Sequence, residues 1–166
     1  MVRRAIRILK AMSKMLFISH RGNIDGRKIE LENSPAYIDM AIKQGYQVEI
    51  DIWWKDGNFF LGHDSPKFLI NWEWIESRVS ILWLHCKNIG AIEELSLLFK
   101  TNKEINFFWH ENDVLTMTSL NYLWVYPGKQ VVNNSIAVMP ELYNESTTGC
   151  VGICSDFIKK YRYGNL

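Results

Sequence analysis

The run QVEIDIW, residues 47–53, is mostly apolar on both faces, a pattern typical of a strand buried in a parallel sheet. Six further runs of five to seven residues share this character: MLFIS (15–19), SILWLHC (80–86), INFFW (105–109), YLWVY (122–126), SIAVM (135–139) and CVGIC (150–154). Helical patterns separate the earlier runs, so strands and helices alternate along the chain. The sequence therefore predicts an α/β fold with a mainly parallel sheet of seven strands, close to a closed barrel.

The clearest helix signal lies in NSPAYIDMAIKQG, residues 33–45, where Ser34 suits the cap, Pro35 the first turn and Gly45 the position after the end. Further helices are predicted over Ile89–Lys100 and within KFLINWEWIESR (67–78), and KDGNFFLGHD (55–64) predicts a turn followed by an extended stretch. After residue 110 the connections shorten. The second half of the fold therefore looks trimmed.

Composition indicates one domain. The chain has 166 residues and a formal charge of only +1, which disfavours a protein that coats nucleic acid. Five of its cations and none of its acids lie in residues 1–14, predicted to be a basic extension, or a helix on a membrane surface, ahead of a single domain over residues 15–166. Three cysteines without a disulfide framework favour the cytoplasm, and no apolar run approaches the roughly 18 residues of a transmembrane segment.

Two carboxylates lie two residues apart on the strand 47–53, so Glu49 and Asp51 project from the same face. Holding two ionised carboxylates on a buried face is costly without a compensating charge. A shared divalent cation and a salt bridge to Arg21 or Lys87 are both consistent with this pattern. His85 and Lys87 repeat the spacing at the end of strand 80–86 and would face the same side in a parallel register.

All four histidines, His20, His63, His85 and His110, fall at or just beyond the carboxyl ends of predicted extended segments. Functional sites of α/β sheets and barrels are built at these ends. A lone histidine such as His110 is more often structural than catalytic.

Four motifs, HRG (20–22), ENS (32–34), VEIDIWWKDG (48–57) and LGHD (61–64), resemble the glycerophosphodiester phosphodiesterase family in order and spacing. LHCK (84–87) and VGICSD (151–156) resemble later strands of that family more weakly. The resemblance implies a (β/α) TIM-barrel-like fold. Because a full barrel takes about 250 residues, this one would be shortened or incomplete in its second half, and a homodimer would cover its open edges.

The resemblance also implies roles for the polar residues. His20 and His63 would act as general acid and base, and Arg21 would clamp a phosphate oxygen. Lys87 would offset charge that develops in the transition state. Glu32 and Asn33 would brace the site.

Glu49 and Asp51 would hold a divalent ion, Mg²⁺, Ca²⁺ or Mn²⁺. His85 stands where the family has a third acidic ligand, which shifts the preference toward Mn²⁺ or Zn²⁺. Glu111 or Asp113 could supply the missing acid.

The aromatic residues Trp54 and Trp124 lie near predicted strand ends and are candidates to contact a sugar or a choline-like cation of the substrate. Packing in the core is the alternative for each. The expected ligand is a small-molecule phosphodiester and not nucleic acid.

Three functions are consistent with these residues. The first is a metal-dependent phosphodiesterase that hydrolyses a glycerol- or sugar-linked phosphodiester. The second is a weak or inactive barrel that binds a phosphorylated ligand without cleaving it. The third is docking of the basic N-terminus to anionic lipid or nucleic acid.

Overall fold

A computed structural model describes residues 15–164, so the basic extension predicted at residues 1–14 lies outside the described residues. The described chain forms ten strands: β1 (Leu16–His20), β2 (Gln47–Lys55), β3 (Asn58–Leu61), β4 (Phe68–Ile70), β5 (Leu82–Cys86), β6 (Phe107–Phe108), β7 (Leu115–Met117), β8 (Leu123–Val125), β9 (Ser135–Val138) and β10 (Gly152–Ser155). Four α-helices accompany them: α1 (Pro35–Lys43), α2 (Trp72–Glu76), α3 (Ile89–Leu98) and α4 (Ile158–Tyr163).

Seven strands run parallel to one another, in the order β6-β5-β2-β1-β10-β9-β8. The other three join the sheet through antiparallel pairs: β3 with the far half of β2, β4 with β3, and β7 with β8. The seven parallel strands coincide with the seven predicted apolar runs, so the location of the strands is confirmed.

The predicted TIM-barrel-like α/β fold is wrong. The sheet is mixed and curls into a half-barrel, and helices do not alternate with strands through the described chain. The reason lies in the second half, where a crossover helix between parallel strands needs a dozen or more residues. Only residues 126–134 separate β8 from β9, and Pro140–Leu142 forms just a 3₁₀ turn between β9 and β10.

The two ends of the curl meet without a strand ladder in the described residues. The Ser119 amide donates to the carbonyl of Phe107 over 2.9 Å, which links the segment after β7 to β6. The predicted strand 105–109 shrinks to Phe107–Phe108. The half-barrel therefore has its shortest strands where a complete barrel would close.

The first half of the sequence follows its local signals more closely. Gly45 adopts φ 81° after α1, as its position predicted. The helix predicted within 67–78 is divided between β4 and α2, because the Asn71 side chain accepts from the Trp74 amide at 3.0 Å and starts the helix there.

No helix in the described residues is long and apolar enough to cross a bilayer.

Alternation along β2 separates two environments. Val48, Ile50 and Ile52 are fully buried in the core beneath α1 and α3. Glu49 and Asp51 face the concave side of the sheet. There a second core crosses six strands and consists of Ile18, Trp83, Phe108, Trp124, Ile136, Val138 and Cys154. This apolar layer separates the carboxyl ends of the parallel strands from their amino ends.

Candidate functional site

Strand register brings the predicted polar residues together at the carboxyl ends. His20, the last residue of β1, lies opposite Glu49 of β2. Asp51, two residues further along β2, lies opposite His85 of β5. Because all three strands are parallel, both pairs fall at the same end of the concave face. The sequence spacing thus produces one cluster.

Asp51 is the centre of this cluster and is fully buried. The Nε atom of Arg21 lies 2.8 Å from one of its oxygens, and Lys87 Nζ lies 3.5 Å from the other. Nδ1 of His85 and Nδ1 of His63 approach to 3.0 and 3.3 Å. Burial favours the neutral acid, but the hydrogen bonds from His63 and His85 and the charge of Arg21 hold the pKa of Asp51 well below its ordinary value. The salt bridge that the sequence left open is therefore present at Asp51.

Asn33 holds Asp51 in place from a second direction. Its amide group donates to Asp51 Oδ2 at 2.9 Å, and its carbonyl accepts from the Asp51 backbone amide at 2.9 Å. Asn33 has φ 62°, a left-handed conformation that asparagine tolerates better than most residues. The backbone N–H of Asn33 in turn donates to the backbone carbonyl of Arg21. The bracing role that the resemblance implies for Asn33 therefore has direct contacts behind it.

Glu49 differs from Asp51 because one of its carboxylate oxygens, Oε2, is buried without a hydrogen-bond donor. His20 Nε2 is 3.8 Å from that oxygen, and His85 Nδ1 is 3.7 Å from the other. Burial first, and the charge of Asp51 second, raise the pKa of Glu49. Glu49 therefore keeps one oxygen without a hydrogen-bond donor, whereas both oxygens of Asp51 are paired.

The geometry of three of these residues suits a metal ion. One ligand atom each from Glu49, Asp51 and His85 lies within 4.8 Å of the others, and all three residues are buried. The unpartnered oxygen of Glu49 is the kind of atom that a bound cation satisfies. Glu49, Asp51 and His85 could therefore hold a metal ion. Glu111 and Asp113 are exposed and are not part of this group.

His20 is oriented by a residue outside the predicted set. Its Nδ1 contacts Asp156 Oδ1 at 2.8 Å, just beyond β10. Burial opposes protonation of His20, but the hydrogen bond to Asp156 and the charge of Glu49 prevail and raise its pKa. Asp156 lies in the motif VGICSD, but its contact with His20 depends on the pairing of β1 with β10, which the motif does not reveal.

Glu32 extends this network toward the mouth of the site. The Asn23 amide group donates to both Asp156 and Glu32 at 2.9 Å. Arg21 and Arg27 donate to the same Glu32 carboxylate at 3.2 and 3.0 Å. Although burial opposes ionisation, these donors lower the pKa of Glu32 to about 2. Glu32 thus orients Arg21 at the site, as a bracing residue would.

His63 reaches the site from the loop after β3. Its side chain is 42% exposed, whereas the side chain of His20 is only 9% exposed. Trp53 Nε1 donates to the carbonyl of Gly62 at 2.6 Å and ties the loop to β2. Gly62 has φ 147°, and a Cβ there would lie 2.1 Å from the carbonyl oxygen of Ser65. The residue before His63 is therefore restricted to glycine.

Neither predicted substrate-binding tryptophan lies in the cluster. Trp54 alternates to the helix-facing side of β2, where its ring packs 4.6 Å from Phe59. Trp124 is 3% exposed and packs in the concave core against Trp83 and Phe108. Trp53, one residue earlier, shares the face of Asp51. Because side chains of a strand alternate between its two faces, the sequence signal pointed to Trp53 and not Trp54 as the tryptophan on the face of Asp51.

His110 stacks on the candidate metal ligand His85, with ring centroids 4.5 Å apart and planes 3° from parallel. Burial, together with the neighbouring His85, lowers the pKa of His110 to about 4. His110 is therefore a neutral ring that supports His85.

No family model, curated protein or solved structure matches this chain. The chemistry of a protein depends on the residues of its site and not on its fold. His20 and His63 each present Nδ1 to a carboxylate. Nε2 of His20 lies 3.8 Å from Glu49, and Nε2 of His63 lies 3.4 Å from the Arg21 guanidinium. Beside them lie two cations, Arg21 and Lys87, that suit an anionic group. These residue types suit an oxyanion and proton transfer beside it.

Proposed function

We propose that the chain is a metal-dependent phosphodiesterase that acts on a glycerol- or sugar-linked phosphodiester. The observation that carries the proposal is the pairing of two carboxylate-anchored histidines with one group of candidate metal ligands. His20 lies beside Glu49, and His63 lies beside Asp51. A phosphodiester needs a general base, a general acid and positive charge on its oxygens, and these residues supply each of them. The ordered motifs that resemble the glycerophosphodiester phosphodiesterase family support the same substrate class.

Glu49, Asp51 and His85 would hold the ion, and a mixed oxygen and nitrogen set suits Mn²⁺ or Zn²⁺ better than Ca²⁺. A bound divalent ion neutralises the non-bridging oxygens of a phosphodiester. Lys87 already contacts the Asp51 oxygen that also faces His85. Lys87→Met should therefore tighten Mn²⁺ binding while lowering turnover.

The reaction divides between the two imidazoles. A water molecule attacks phosphorus and gives its proton to Nε2 of one neutral histidine. The bond between phosphorus and the leaving oxygen breaks, and the other histidine, protonated, gives its proton to the departing alkoxide. Each proton transfer contributes about 10²- to 10⁴-fold to the rate. Arg21 lies between Asp51 and His63 and would stabilise the negative charge of the phosphoryl oxygens.

The test is hydrolysis of glycerophosphodiesters by the purified full chain in Mg²⁺, Mn²⁺, Ca²⁺, Zn²⁺ or chelator. We expect turnover that needs a metal and falls at least about 10²-fold in His20→Ala and in Asp51→Asn. Asp39→Asn is the matched control, because Asp39 pairs with Arg78 away from the site. Equal rates in chelator, or an unchanged rate in His20→Ala, would contradict the proposal.

Leaving-group dependence assigns the two histidines. A bis-aryl phosphate releases a phenolate that needs no proton, whereas a glycerol ester releases an alkoxide that does. Replacing the general acid should therefore reduce alkyl ester hydrolysis far more than aryl ester hydrolysis. Replacing the general base should reduce both alike. If His20→Ala and His63→Ala give the same profile, the division of roles is wrong.

One observation favours binding without cleavage as a second candidate. Arg21 and Lys87 already neutralise Asp51, so this carboxylate is stable without a metal. A chain of this kind would bind glycerol phosphate in chelator and show no turnover in any metal. Calorimetry with glycerol phosphate alongside the hydrolysis assay separates the two candidates.

A further inference from the structure

The loop after β3, residues 62–67, carries His63 to the site, and β2 holds it through the glycine before that histidine. The backbone N–H of Gly62 donates to the carbonyl of Asp51 at 3.2 Å. The Gly62 carbonyl accepts from Nε1 of Trp53 at 2.6 Å. This carbonyl belongs to the peptide bond that joins Gly62 to His63. Trp53 therefore fixes the backbone directly next to His63.

The side chain of His63 is held less firmly by its own contacts. Its Nδ1 lies 3.3 Å from Asp51 Oδ2, and its Nε2 lies 3.4 Å from the Arg21 guanidinium. Both distances are long for a hydrogen bond, for which about 2.9–3.0 Å is usual. His20, by contrast, is buried and contacts Asp156 at 2.8 Å. The position of His63 therefore depends more on its backbone attachment than the position of His20 does.

Trp53 can reach the Gly62 carbonyl because of its place on β2. In the antiparallel register of β2 and β3, Trp53 lies opposite Phe60, so Gly62 is its diagonal neighbour. Trp53 also lies two residues from Asp51, so its side chain projects from the same face of the strand. An indole nitrogen donates one hydrogen bond, and here the Gly62 carbonyl accepts it. The indole therefore joins the strand that carries Asp51 to the loop that carries His63.

We propose that Trp53 is a positioning residue whose indole N–H keeps His63 beside Asp51. It acts through His63 and takes no part in proton transfer itself. When the bond to Gly62 is absent, the loop has more freedom, and His63 spends less time where its Nδ1 meets Asp51. The kinetic consequence rests on the proposed phosphodiesterase activity, because it requires that His63 transfers a proton in that reaction. The effect on the loop does not depend on that activity.

Trp53→Phe tests the proposal, because phenylalanine keeps an aromatic ring and removes the donor. We expect kcat for a glycerophosphodiester to fall about 3- to 10-fold, the effect of one hydrogen bond, with KM changed by less than about twofold. Trp74→Phe is the matched control, because Trp74 packs against the core beneath the helices. An unchanged kcat in Trp53→Phe, or an equal loss in Trp74→Phe, would overturn the proposal.

A double-mutant cycle shows whether Trp53 acts through His63. In the His63→Ala background, Trp53→Phe should change kcat by less than about twofold, because the imidazole that Trp53 positions is gone. A residue that supports the site in general would instead reduce kcat by the same factor in both backgrounds. That result would overturn the positioning role.

Amide hydrogen exchange, measured by NMR, tests the loop without turnover. Trp53→Phe should speed exchange of the Gly62 amide by about 3- to 10-fold and leave that of Ile50, at the centre of β2, unchanged. An unchanged rate at Gly62, or an equal rise at Ile50, would overturn the role of Trp53. A parent chain without turnover in any metal would refute the proposed function alone, since exchange still tests the loop. Faster Gly62 exchange with unchanged kcat in an active parent chain would overturn the link to catalysis.

Discussion

The carboxyl and amino ends of the parallel strands bury polar groups in opposite ways. At the carboxyl ends the groups are charged and shared, so that Asp51 alone contacts two cations and two histidines. At the amino ends they are neutral, and they pair singly, as Gln47 does with Trp83, or remain unpaired, as Asn106 Oδ1 does. Buried charges are stable only as a compensated set, whereas a neutral amide affects its surroundings locally. A substitution at the carboxyl ends should therefore affect several residues at once, whereas a substitution at the amino ends should affect only the residue that is replaced.

The largest expected effect is that of Asp51→Ala, which leaves Arg21 and Lys87 without their shared counterion. Breaking a buried ion pair from one side costs about 3–5 kcal/mol of folding free energy. Asp39→Ala is the control, since Asp39 and Arg78 form a partly exposed pair worth about 1 kcal/mol or less. Urea denaturation at pH 7 measures both. Equal losses in the two variants would show that the carboxyl end does not behave as a set.

Glu32 gives the charged end a dependence on pH. Its pKa is about 2 in the folded chain against 4.5 ordinarily, so its stabilisation is fully present above pH 4.5 and is lost as the pH falls toward 2. A fall of this size corresponds to roughly 3 kcal/mol. Glu32→Gln cannot titrate and should lose less stability across this range than the parent chain. Denaturation at pH 7, 4 and 3 compares them, and parallel losses would contradict the role of Glu32.

Two substitutions of Asn33 distinguish the stability that its hydrogen bonds contribute from the stability that depends on its left-handed backbone. Asn33→Gly removes both contacts with Asp51 but tolerates φ 62°, and should cost about 1–3 kcal/mol. Asn33→Ala removes the same contacts and also strains the left-handed backbone, at about 1 kcal/mol more. Thermal unfolding of the two variants measures the difference. An alanine variant as stable as the glycine variant would exclude backbone strain.

The smallest effect is expected at the amino end. Asn106→Leu replaces an unpartnered carboxamide by an apolar side chain of similar size, so stability should change by less than about 1 kcal/mol or rise. Urea denaturation without added ligand provides the measurement. A loss above about 2 kcal/mol would show that Asn106 carries structural hydrogen bonds, and the contrast between the two ends would fail.

The seven parallel strands could be predicted from sequence because each is a short apolar run bounded by polar residues. Of the antiparallel strands, β4 lies where a helix was predicted and β7 was not predicted. The fold class could not be predicted, because the sheet closes through contacts between distant segments. Pairing of β1 with β10 joins residues more than 130 apart, and no local pattern encodes it. The short connections after residue 110 indicated a trimmed second half with little room for full helices, and no α-helix lies between β6 and β10 of the described chain.

The candidate site was more predictable than the fold. Glu49, Asp51 and His85 meet because alternation and parallel register both follow from strand geometry. Asp156 was missed as a site residue because its contact with His20 depends on the β1–β10 pairing. Trp54 and Trp124 were chosen by their nearness to strand ends, whereas the side of the strand on which a ring lies decides its contacts.

The attachment of β3 and β4 has a consequence for timing. These strands bond to the far half of β2, beyond its rungs with β1, and they form one edge of the sheet. Amides of β3 should therefore exchange with solvent deuterium sooner than those at the centre of β2. We expect such an opening to move His63, which follows β3, away from Asp51, whereas His20 belongs to the parallel strand β1. The two histidines should therefore differ in how long each stays beside its carboxylate, and His63 should leave more often.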